Sequence, residues 1–166
     1  LIQPRMGTEL ASVVKSGFSR VFAGQGGADP YGCDCSEVYM DAFENGGFAG
    51  KGIIDVQVFL SCLENRIPEN SVLSHDALEG AYLRGGLMSD TELLDYYPSD
   101  ITSYYKRMHR WTRGDWQNAP WLFSRGRALS HIDKFRLFDS LRRSLLSPVY
   151  FIALLLSFFL PGADTT

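Results

Sequence analysis

The sequence predicts an α/β fold that gives way, towards its C-terminal end, to helices suited to a membrane. Three observations predict it. Between residues 52 and 100, β-branched stretches exchange with helical periodicity. From Phe135 onward, apolar residues return at three- and four-residue steps, the mark of an amphipathic helix. Beyond them, "LLSPVYFIALLLSFFLPG" is apolar and uncharged. With 166 residues and 45% hydrophobic side chains, the chain has the length and composition of one folded domain. A net charge of -3 counts against a general nucleic-acid binder, whose phosphate contacts require a basic excess, so no nucleic-acid partner is expected.

In chain order, "LIQPRMGTEL" lacks the charged start and apolar core of a signal peptide and has no initiator Met, so a part of something longer is expected. "ELASVVKSGFSRVFA" reads as a short helical stretch. A long irregular loop, "AGQGGADPYGCD", separates it from "SEVYMDAFE". "GIIDVQVFLSCLEN" opens with a β-branched pair and continues as an amphipathic helix that "IPEN" breaks. "SVLSHDALEGAYLRGG" reads as a helix capped by Ser74 and ending at glycines, and "LMSDTELLDYYPSD" as a strand and turn. Cys33, Cys35 and Cys62 have no further pair or histidine at zinc spacing, which predicts reduced thiols.

In the C-terminal third, Phe135, Phe138, Leu141 and Leu145 form the expected apolar face, with Lys134, Arg136, Arg142 and Arg143 on a basic one. The apolar run that follows is slightly short of the ~20 residues that cross a hydrocarbon core. A buried core helix is the alternative. The basic helix leading into it, with Arg142 and Arg143 where positive-inside residues lie, favours a transmembrane helix with the preceding chain in the cytoplasm. The expected organisation is an α/β unit over 1–125, a basic amphipathic interfacial helix over 126–145, and a transmembrane helix and tail over 146–166.

Three stretches could carry chemistry. Asp76 falls in the first turn of a helix, where the dipole favours a carboxylate; it is either a site residue or a helix-stabilising one, and Glu79 adds a second carboxylate. In "GFAGKGIIDV", Gly50 and Gly52 bracket Lys51, so backbone can approach a ligand closely beside an ammonium, although a plain tight turn reads as well and no phosphate-binding P-loop pattern is present. In "KRMHRWTRGDWQ", Arg107 and Arg110 share a helix face and can fork onto phosphate oxygens, while Trp111 offers an indole face to a sugar ring. Solvated arginines beside a core tryptophan would read the same way. Asp115 could pair with Arg110 or Arg113.

Taken in order, "LIQPRMGT", "SEVYMDAF", "GFAGKGIIDV", "RIPENSVLSHDALEGAYLRGGLMSD", "YPSD" and "HRWTRGDWQ" closely resemble the glycosyltransferase region of cyclic β-1,2-glucan synthases over nearly the whole chain. The resemblance implies the C-terminal half of a nucleotide-sugar (GT-A-like) α/β domain beside membrane helices, in a processive, inverting enzyme of a bacterial inner membrane. It implies transfer of glucose from UDP-glucose to a growing glucan, with Asp76 of "SHD" as catalytic base. Through "RMHRW" it places Arg107 and Arg110 at the donor diphosphate and Trp111 at the acceptor. Gly50, Lys51, Gly52 and His75 join the substrate-binding set, His75 standing where related polymerases often have Glu. A divalent metal, Mg or Mn, is also implied. The D-x-D motif that would hold it is absent from these 166 residues, so its ligands are expected outside this chain and the chain alone is expected to be inactive. A non-catalytic glucan- or nucleotide-binding module of the same fold is the alternative.

Overall fold

The computed structural model describes residues 1–23, 38–124 and 129–159. Most of the expected irregular loop with Cys33, and Cys35 just after it, lie outside the described residues, as do the boundary expected at 125/126 and the end of the apolar run with the tail, 160–166. The order is β1 (Ile2–Thr8), α1 (Leu10–Val13), α2 (Gly17–Phe22), α3 (Val38–Phe43), α4 (Val56–Leu63), α5 (Asp76–Leu83), β2 (Gly86–Asp95), α6 (Ile101–Phe123) and α7 (His131–Ser157). The α/β expectation holds: β1 and β2 pair in parallel, with helices between them and after them.

β1 was not foreseen, because Pro4 interrupts its pattern and cannot donate to a ladder. The pairing absorbs the proline at an irregularity: Pro4 faces Met88, but Arg5 faces Glu92. The expected helical stretch near the N-terminus is two short helices, because Ser16 accepts from the Ser19 amide and starts α2 afresh. Ile53 exchanges two backbone hydrogen bonds of 2.9 Å with Ile2 before Asp55 caps α4. Ser74 does not cap α5. His75 is the N-cap residue, and the Ser74 hydroxyl donates instead to Asp76 Oδ2 at 3.4 Å.

Leu78 of α5, Trp121 of α6 and Leu137 of α7 form the buried core, with Ile67, Val72, Ala77, Tyr82, Leu122 and Leu129 packed around them. Trp121 Nε1 donates to the Tyr82 hydroxyl at 3.2 Å, so the indole is buried with its polar atom satisfied.

Two expectations about the C-terminal third need correcting. α7 is one continuous helix across the boundary expected at 145/146, and its buried stripe is Asp133, Leu137 and Ser140. Phe135 and Phe138 are instead half exposed, at 52% and 51%. The physical reason lies in the partners. Asn45 donates to buried Asp133 at 2.8 Å, and Arg136 turns inward onto the carbonyls of Asn45 and Gly46 and over the Tyr39 ring. Lys134 reaches the Ser124 carbonyl and Arg142 pairs with Asp139, so much of the expected basic face is engaged within the fold. The expected transmembrane helix is not found: among the described residues no helix is long and apolar enough to cross a membrane. From Ser144 to Ser157 the uncharged part of α7 is about 14 residues, about 21 Å at 1.5 Å per residue, against a core of ~30 Å.

Candidate active site

A cleft of about 1460 Å³ opens between the glycine-rich loop, the N-terminal end of α5, the turn after β2, and facing surfaces of α6 and α7. Single-ligand pockets run to ~1,000 Å³, so the cleft has room for two ligands side by side. Gly50, Lys51, His75, Asp76, Arg107, Arg110 and Trp111 all line it. Residues as far apart in sequence as Gly50 and Trp111 are brought together here.

The glycine-rich loop is held from three sides. Buried Gln3 of β1 accepts from the Ala49 amide at 2.8 Å, Gly46 donates to the Gly85 carbonyl at 2.8 Å, and Arg136 holds the carbonyls at 45 and 46. Gly50 has φ +75°, and a Cβ built on it would lie 2.8–2.9 Å from the Asp76 carboxylate atoms. Only glycine gives this backbone both its left-handed conformation and its approach to Asp76. Gly52 does not line the cleft. A Cβ there would collide with the Ile2 carbonyl, so its smallness serves the β1 contact rather than a ligand.

Asp76 is the first residue of α5, half-buried at the helix end that faces the cleft. The loop before it rests on α6. Gln117 Oε1 accepts from the Leu73 amide at 2.9 Å, and a Cβ on buried Gly114 would lie 3.1 Å from Ser74 Cβ. The small residue at 114 thus sets how closely the Asp76 loop approaches α6. His75 turns its Nδ1 to Glu79 Oε1 at 2.6 Å.

α6 is capped by Asp100, whose carboxyl is held below its ordinary range by hydrogen bonds from Ser103. Arg107 stacks over Trp111, 4.6 Å from the ring centroid, so one face of the indole is taken by a guanidinium. Arg107 also donates to the Tyr96 carbonyl at 3.4 Å and lies 3.5 Å from Asp95 Oδ2. Lys51 Nζ is 2.6 Å from the same oxygen. Burial pushes the Asp95 carboxyl up, but the Lys51 hydrogen bond and charge, the Tyr96 amide and Arg107 outweigh it and hold it below the ordinary carboxylate range. Arg110 lines the cleft, exposed, with no hydrogen bond or ion pair among the described residues.

Sequence reasoning missed Asp95, Gly114, Gln117 and Asn118, all of which line the cleft or support it. Two signals were present. Asp95 ends a foreseeable strand, where α/β folds place ligands, and Gly114 and Asn118 follow Trp111 at three and seven residues on the same helix face. Asp115 pairs with neither Arg110 nor Arg113. Burial pushes its carboxyl up, and the charge of Arg143 on α7 opposes that.

His75, Asp76 and Glu79 hold donor atoms within 4.8 Å of one another, the one grouping among the described residues with metal-ligand chemistry. Two of its three donors are already spent on each other in the His75–Glu79 contact. A hard divalent cation such as Mg also prefers an all-oxygen shell. These residues do not fit a resident Mg or Mn ion.

The arrangement sets one carboxylate at a helix N-terminus opposite three cations and an indole. That suits binding an anionic, ring-bearing ligand and accepting a proton beside it. No protein-family model matches the chain. Against curated proteins, it is 43% identical over 154 residues to the cyclic beta-(1,2)-glucan synthase NdvB of Rhizobium meliloti (strain 1021). The match covers 92% of this chain, which spans 5% of that relative's length.

Proposed function

Starting from this kinship to a segment of a cyclic β-1,2-glucan synthase, we propose that the chain is the base and acceptor half of a membrane-associated, inverting glucosyltransferase. It belongs to the C-terminal half of a GT-A-like domain on the cytoplasmic side of a bacterial inner membrane. UDP-glucose is the donor and a growing β-1,2-glucan the acceptor. The remainder of the parent polypeptide supplies the other half, including the ligands of a divalent metal, Mg or Mn.

The observation that carries this reading is the meeting of Asp76, Lys51, Arg107, Arg110 and Trp111 on one cleft. In the proposed reaction Asp76 takes the proton of an acceptor 2-hydroxyl as its oxygen attacks the anomeric carbon. The new C–O bond forms opposite the breaking bond to UDP, which leaves with the electron pair, so the α-linked donor gives a β product. Arg110 and Arg107 oppose the charge gathering on the diphosphate. In the ligand-free cleft Arg107 and Lys51 are tied to Asp95, so a diphosphate exchanges one anion for another at those two cations. Trp111 seats the acceptor ring on the indole surface that Arg107 leaves open.

The test is Asp76→Asn in the parent synthase. Transfer from UDP-glucose is expected to fall by about 10³-fold, the middle of the ~10²–10⁴ range for loss of a general base, while UDP affinity stays within about twofold. A variant that keeps most of its transfer rate would overturn the base assignment. A parent that binds UDP and glucan but never transfers would instead favour the non-catalytic binding module.

A further inference from the structure

We propose that the wall of the cleft where α6 faces α7, centred on Asn118, is a subsite for a hydroxyl-rich ring beyond the one seated at Trp111, an inference that rests on the glycosyl-transfer reading above. Asn118 is 3% exposed and lines the cleft, yet its Oδ1 has no hydrogen-bond partner. Buried side-chain oxygens are nearly always satisfied, so this one calls for a donor brought by a ligand. An amide oxygen only accepts. The ligand group that meets it is therefore a hydroxyl or N–H, not a phosphate or carboxylate oxygen.

Position extends the argument. Asn118 stands seven residues past Trp111 on the same face of α6, about 10 Å along the axis at 1.5 Å per residue, the span of about two linked sugar rings. Across from it, α7 presents Ser140, Ser144 and Ser147 at helical spacing to the same cleft. The Ser144 hydroxyl donates to the Leu141 carbonyl at 2.7 Å, which leaves its oxygen to accept. Nearer to Trp111, burial disfavours the charged form of Asp115, and Arg143, the cation lining this end, is engaged on its own helix by Ser140 at 3.0 Å and Asp139 at 3.9 Å. The cations assigned to the diphosphate, Lys51, Arg107 and Arg110, lie at the other end. The division of the cleft is then anionic donor at Lys51, Arg107 and Arg110, and neutral, polyhydroxylated acceptor running from Trp111 to Asn118.

The experiment titrates the parent synthase with β-1,2-linked glucose oligomers of one to four units, and separately with UDP. Affinity of the wild type is expected to rise by roughly tenfold between one and three units. Asn118→Leu is expected to flatten that rise to under about twofold with UDP affinity unchanged. A variant that keeps the full length dependence overturns the subsite, as does a wild type that binds UDP and glucose with no length dependence; both leave the transferase reading standing. A wild type that binds neither UDP nor any oligomer overturns both. Should Asn118→Leu fail to fold by circular dichroism, the Ser144→Ala/Ser147→Ala double variant takes its place, and an undiminished length dependence there overturns the subsite.

Discussion

Asp95 ends β2 between two cations, and its chemistry has a pH signature. Its carboxyl is held below the ordinary range, so the Lys51 and Arg107 pairings persist as pH falls through about 4, the unfolded value, and are lost only as pH drops through the lower folded value. The Lys51 and Asp95 side chains are 46% and 36% exposed, which screens the pair to under ~1 kcal/mol of stability. Asp95→Asn is therefore expected to cost little stability at neutral pH and nothing in strong acid. It should also tighten UDP binding by roughly three- to tenfold, because it removes the anion competing for the two cations; calorimetric titration showing weaker binding would refute the competition. At Gly50, alanine adds ~1–2 kcal/mol of left-handed strain and a Cβ against the Asp76 carboxylate. Gly50→Ala is expected to lower the melting temperature and, in the parent synthase, to cut transfer by ~10²-fold through misplacement of Asp76. Wild-type turnover in that variant would show that the carboxylate does not need this approach.

At the scale of elements, α7 is anchored by one buried carboxylate. Asp133 completes a capping box with Ser130 and accepts from Asn45 88 residues away, which fastens the helix start to the glycine-rich loop. Asp133→Ala leaves the Ser130 cap but removes the carboxylate half of the capping box, ~1 kcal/mol or less, and strands the Asn45 amide, ~1–3 kcal/mol. A fall in unfolding free energy of ~2–3 kcal/mol in urea is expected; a change below about 0.5 kcal/mol would mean that α7 docks without it. The type of most helices and of β2 was legible in "DVQVFLSCL", "DALEGAYL" and "LMSDTELLD", because cap residues and periodicity act within a few positions. Two things were not legible. β1 depends on a parallel partner more than eighty residues away, and its proline looks like a breaker until that partner supplies a bulge. The inward face of α7 was also hidden, because periodicity locates stripes but not which of two mixed stripes meets Leu78 and Trp121.

At the scale of the molecule, the apolar surface of α7 sets the behaviour. Val149, Phe151, Ile152, Leu154 and Leu156 are each more than half exposed, on a helix that outruns the core formed by its first turns. Scattered exposed apolar residues are ordinary, but a contiguous run of this length marks a surface that meets another apolar phase or partner. The full chain is expected to float with anionic lipid vesicles in a density gradient, and a chain ending at Ser144 to stay in the aqueous fraction. Equal partition of the two would detach α7 from membrane association.

By itself the sequence determined the α/β class, most local elements and which residues were candidates for the site. Those follow from short-range rules and from motifs whose residues lie within a few positions of each other, as in "SHD" and "RMHRW". The tertiary structure alone decided that Gly50 faces Asp76, that Gly52 serves β1, that Asp95 restrains Lys51 and Arg107, and that Asn118 keeps an unmatched oxygen at the cleft. Each of these depends on where distant backbones cross. A residue's neighbours in space are set by packing between elements, which no local pattern in the chain encodes.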